Sequence, residues 1–115
     1  MNRKELKNTY KETVQPMGIY QIRNTATGKI LLGSSLNLPA IINRHRFQLQ
    51  NGLHMNRQLQ RDFVELGEQG IAFEILDTLK PREDARGDYA EDLSMLEEMW
   101  RDKLRSTLAE GYDRG

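Results

Sequence analysis

The 115-residue sequence contains no cysteine, so neither a disulfide framework nor a thiolate metal site is available to it. It holds no run of about 18 apolar residues, and no membrane-spanning helix is expected. The N-terminal residues 1–7 are basic but no apolar stretch follows them, which argues against a secretory signal and makes cytoplasmic residence the expectation. There is no glycine-rich phosphate loop, no zinc-ligand spacing, no Ser-His-Asp order, no internal repeat and no low-complexity tract. Aromatic residues make up only 7%, and most of them fall on predicted core stripes. Strong sequence-specific reading of stacked bases is therefore not expected.

The formal net charge of zero hides an asymmetry. Residues 1–61 hold ten Lys and Arg against two Asp and Glu, a balance of +8, and residues 62–115 hold seven against fifteen, a balance of −8. The basic half supplies the footprint that phosphate binding requires. Internal pairing of the two surfaces is the plainer alternative, and recruitment of a protein partner by the acidic half is another. Hydrophobic residues at 37%, charged residues at 30% and a mean hydropathy of −0.73 describe one domain with a modest core.

Residues 2–13 are predicted to be a polar helix with Leu6 and Tyr10 on a narrow stripe, closed by Pro16. Residues 18–23 and 29–33 read as a β-hairpin around a turn carrying Gly28. Asn37 is a predicted N-cap with Pro39 just inside the helix that follows. Leu38, Ile41, Ile42, His45 and Leu49 share one face of that helix, which Asn51-Gly52 ends. A second helix carries Met55, Leu59, Phe63 and Leu66 on one stripe. Residues 71–77 form a third strand with Ile71, Phe73 and Ile75 on one side. Residues 81–92 read as a charged surface loop, Leu93, Leu96, Trp100, Leu104 and Leu108 as a closing helix, and residues 111–115 as a flexible tail. The expected order is α-ββ-αα-β-α, an α+β domain with helices flanking a small sheet.

Gly18-Ile19-Tyr20, then Leu32-Gly33-Ser34-Ser35, His45 four residues before Leu49, residues 52–56, Gly70, the strand 73–76, and Glu97 three residues before Trp100 together resemble the GIY-YIG nuclease family. The resemblance covers residues 17–105. It implies a three-stranded antiparallel sheet within a single domain spanning residues 17–110, with residues 1–16 as a helical extension. It also implies a metal-dependent endonuclease cleaving DNA. In that reading Tyr20 is the base or water orienter, His45 the proton-transfer or phosphate-contacting group, and Glu97 the ligand of one Mg²⁺ or Mn²⁺ ion. A single carboxylate suits Mg²⁺, which keeps most of its hydration. On residues alone, Tyr20 fits equally a strand tyrosine at the sheet rim, His45 a core histidine, and Glu97 a salt bridge to Arg101.

Three positions depart from the family pattern. Leu31 stands where the second motif has tyrosine, Ile41 where the catalytic arginine is expected, and Arg105 where an asparagine often follows. Neither leucine nor isoleucine can donate to a phosphate, so a degenerate domain that binds nucleic acid or protein without cutting is the alternative. Arg44 and Arg46 flank His45 as possible replacements for the missing arginine. With Asn56, Arg57 and Arg61 at the start of the second core helix, they make up the candidate nucleic-acid surface.

Overall fold

The computed structural model describes residues 15–80 and 89–112. The N-terminal helix expected over 2–13, most of the 81–92 loop and residues 113–115 lie outside that range. Strands β1 (Met17–Asn24), β2 (Ile30–Ser35) and β3 (Ile71–Leu79) form one antiparallel sheet in the order β2-β1-β3. Helices α1 (Leu38–Gln50) and α2 (Arg57–Leu66) lie between β2 and β3 in the chain, and α3 (Ala90–Lys103) and α4 (Arg105–Ala109) follow β3. The α+β architecture matches the expectation.

β1 is the central strand, which is why it reads as buried on both faces. Its two sides feed two cores. Tyr20 and Ile22 pack with Leu38, Leu49, Leu59, Phe63, Ile71 and Tyr112. Ile19 packs on the opposite side with Ile30, Leu32 and Leu108, covered by Leu76, Leu96, Trp100 and Leu104. The molecule is thus three layers, α1 and α2 over one face and α3 and α4 over the other. Each fully buried Ile or Leu contributes roughly 1.5–3 kcal/mol over its exposed state. A bulge lies where Ile19 pairs with Asp77 but Tyr20 pairs with Ile75, which leaves Leu76 without a partner on β1. Leu76 points into the second core and Phe73 into the first, as strand alternation over an odd separation places them.

The predicted cap at Asn37 forms, and the structure adds a second at Asn56. Asn37 Oδ1 accepts from the Ala40 N–H at 3.1 Å, and Asn56 Oδ1 accepts from the Leu59 N–H at 3.0 Å. Four local expectations are corrected. Met55 lies ahead of α2 and is 90% exposed, because Asn56 starts the helix one residue after it. Leu66 and Ile75 are likewise exposed, at stripe ends that no helix covers among the described residues. Residues 90–92 are helical, extending α3 toward its N-terminus, and the closing helix breaks at Leu104. Gly111 and Tyr112 are no free tail: Tyr112 is 3% exposed and donates its N–H to the Ile30 carbonyl at 3.1 Å. Among the described residues no helix is long and apolar enough to cross a membrane.

Candidate active site

Tyr20 occupies the middle of β1, paired with Gly33 on β2 and Ile75 on β3. Its ring lies across the Gly33 backbone: a Cβ at position 33 would sit 2.5 Å from the Tyr20 hydroxyl oxygen. Gly18 is required for a parallel reason, since a Cβ there would meet the Asp77 carbonyl oxygen at 2.0 Å. The two glycines of the paired motifs are therefore packing requirements of the hairpin and of β3. Crossing over Gly33 carries the Tyr20 hydroxyl to His45 on α1.

The Tyr20 hydroxyl lies 2.9 Å from His45 Nε2, and His45 Nδ1 lies 2.8 Å from His54 Nε2. The Asn56 backbone N–H donates to His54 Nδ1 at 3.0 Å. That last bond orders the protons along the whole chain. A backbone amide can only donate, so His54 Nδ1 is bare and a neutral His54 carries its proton on Nε2. His54 then donates to His45 Nδ1, which leaves the His45 proton on Nε2, aimed at the Tyr20 oxygen. The tyrosine's own proton consequently points away from His45. His54 is 8% exposed and also anchors its segment by donating its backbone N–H to Gln60 Oε1 at 3.0 Å.

The electrostatics keep this chain neutral. Burial, the neighbouring His54 and Arg44 together lower the pKa of His45 to about 4. Burial holds His54 below its ordinary value as well. Tyr20 is shifted the other way, raised by burial and then by the charge of Glu97. Tyr20 thus stays protonated at neutral pH.

Glu97, on α3, forms an i,i+4 salt bridge with Arg101, the pairing its sequence position allowed. Its negative charge is the second cause, after burial, that raises the Tyr20 pKa. Among the described residues no group of three or more His, Asp and Glu gathers around a common point. The donor set for a cation is one carboxylate. A lone carboxylate is a hard oxygen donor, the type that Mg²⁺ takes beside its waters, and here it is engaged by Arg101.

The basic candidates divide. Arg44 is exposed and near enough to act on His45, whereas Arg46 is held over the Phe73 ring at 4.7 Å. Arg57 lines a shallow pocket of about 370 Å³ with Gly52, Leu53, His54 and Gln60, which places a cation beside the histidine pair. Arg61 is exposed on α2, and Asn56 is occupied as a cap. Arg105 pairs with Asp102 on the surface. Leu31 and Ile41 pack against the apolar cluster that includes Tyr20. His54 is the site residue that the motifs left unassigned, and its signal is local: a histidine two residues ahead of a cap asparagine, nine after His45.

The sheet order, the motif glycines and the tyrosine–histidine contact agree with what the GIY-YIG resemblance implies for the fold. No protein-family model matches the chain. Over 86% of its length it superimposes on the catalytic domain of the homing endonuclease I-TevI with a TM-score of 0.67 and 28% identity, covering 98% of that domain. A mutant form of the same catalytic domain gives a TM-score of 0.68 at 27% identity, with 86% of this chain and 93% of that one covered. Intron-associated endonuclease 1 of Enterobacteria phage T4 is 40% identical over 50 residues, 44% of this chain. That match spans only 20% of the phage protein's length.

Proposed function

We propose that this domain is an endonuclease that hydrolyses DNA phosphodiester bonds with Mg²⁺ or Mn²⁺, acting in the cytoplasm. The observation that carries the reading is the ordered chain from Asn56 through His54 and His45 to Tyr20. His45 donates to the Tyr20 oxygen, which steadies that oxygen and turns the tyrosine proton outward. The hydroxyl is then set to hold an attacking water or a phosphate oxygen. Taking a proton from water at this oxygen first requires Tyr20 to give up its own, which burial and Glu97 oppose. When bound at Glu97, the divalent ion would offset that carboxylate's charge and stabilise the leaving oxygen. Arg44 and Arg57 supply positive charge for the phosphate backbone.

Leu31 and Ile41 put no donor where the family pattern has tyrosine and arginine. Removing one transition-state donor costs a factor of about 10²–10³ in rate, so cleavage is expected to be slow. The test is conversion of supercoiled plasmid to nicked or linear forms with Mg²⁺, with Mn²⁺ and with a chelator. Slow cleavage that the chelator and Glu97→Ala both abolish supports the reading. Salt-sensitive DNA binding with no cleavage under either metal would establish the domain as a binding module instead.

A further inference from the structure

Gly111 and Tyr112 lie far from the motifs in sequence, yet they end beside the histidine pair. Tyr112 is locked from three sides. Its N–H donates to Ile30, its hydroxyl donates to Asp62 Oδ2, and that hydroxyl accepts from Asn24 Nδ2 at 2.9 Å. Its carbonyl oxygen is free of the sheet and accepts from Asn56 Nδ2 at 2.8 Å. That contact orients the Asn56 amide, because turning Nδ2 to Tyr112 leaves Oδ1 to cap the Leu59 N–H at 3.0 Å. The backbone N–H of this same Asn56 is the donor that reaches His54 Nδ1.

We infer that Tyr112 is a positioning residue: by clamping Asn56, this C-terminal strap sets the order of protons along His54, His45 and Tyr20. The chain has two discrete arrangements. With Asn56 clamped, protons sit on Nε2 of both rings and the Tyr20 proton points outward. With Asn56 released, His54 Nδ1 loses its donor and can carry the proton itself. His54 Nε2 then accepts from His45 Nδ1, and His45 Nε2 accepts from Tyr20, turning the tyrosine proton inward. The strap selects the first arrangement from more than fifty residues away in sequence. Its catalytic consequence rests on the nuclease reading, whereas the proton order does not.

The chain contains two histidines, so an imidazole ¹⁵N spectrum reports only these rings. Wild-type protein at pH 7 should give protonated Nε2 and bare Nδ1 for both. Asn56→Ser keeps a capping oxygen of similar strength but cannot reach the Tyr112 carbonyl. Tyr112→Ala loosens the strap, and Tyr112→Phe retains its packing and carbonyl. The expected result is an averaged or exchanged His54 pattern in Asn56→Ser and Tyr112→Ala, with the Tyr112→Phe pattern unchanged. If Tyr112→Ala does not fold, Asn56→Ser decides alone. Wild-type ¹⁵N patterns in folded Asn56→Ser would overturn the inference, whatever the melting temperature does. Patterns that respond in a chain that cuts no DNA would support the strap and remove the nuclease reading separately.

Discussion

Gly33 lies directly beneath the Tyr20 ring, and the hydroxyl that the ring carries past it meets His45. The cross-strand pair is thus a hinge point between fold and chemistry. Gly33→Ala should force the ring aside, at a cost of about 1–3 kcal/mol for overpacking a filled space. Denaturant unfolding checks the stability loss. The His45 imidazole signals should shift in the same variant, whereas Gly28→Ala, with nothing near its Cβ position, should leave them alone.

The neutral histidine predicts a pH profile. His45 has a folded pKa of about 4 against an ordinary 6.5. As pH falls from about 6.5 to about 4, the unfolded chain takes up a proton that the folded chain refuses, so stability declines across that window and this group adds nothing below it. Because His45 is partly exposed, the loss should be discounted to about 1–2 kcal/mol. Glu74, lowered to about 2 by hydrogen bonds from Arg23 and Gln21, acts in a separate window and loses its contribution only below its ordinary 4.5. Urea unfolding at pH 7 and pH 4.5 should show a steeper drop for wild type than for His45→Asn.

Charge reversal separates the arginines. Arg44→Glu and Arg57→Glu should each weaken DNA binding and flatten its salt dependence by roughly one counterion apiece. Arg46 is committed to Phe73, so Arg46→Glu should lower stability more than either. Filter or fluorescence titrations across salt concentrations check the slopes.

Leu31→Tyr with Ile41→Arg should raise the cleavage rate by about 10²-fold or more, since each restores a donor beside Tyr20. Both native side chains pack on apolar neighbours, so the double variant should also be less stable by about 1–3 kcal/mol. An unchanged rate in a folded double variant would mean that Arg44 already fills the phosphate contact.

Much of the fold was legible because the residues that carry it repeat with a period or stand in motif order. Leu38, Ile41, Ile42, His45 and Leu49 declare the face of α1, and Asn37 announces its start. Tyr112 could not be read, because a single aromatic near a chain end has no period and its partners Asn24, Asn56 and Asp62 are all remote. The bulge at Leu76 escaped for a related reason: register is a property of two strands together. At the site, Tyr20 and His45 were readable as candidates through their motifs. His54 was not, since its role depends on a backbone amide donated across a turn. The apolar neighbours of Tyr20 were visible as the substitutions Leu31 and Ile41, but their packing into one cluster was not.

The central claim is that the Tyr20 hydroxyl, steadied by His45, acts on the phosphodiester. Single-turnover cleavage of plasmid DNA by Tyr20→Phe against wild type, in Mg²⁺ and at enzyme excess, tests it most directly. Phenylalanine keeps the ring over Gly33 and removes only the oxygen that His45 contacts. The account predicts a loss of at least about 10²-fold in the cleavage rate with DNA affinity unchanged. Equal rates for the two proteins would contradict it.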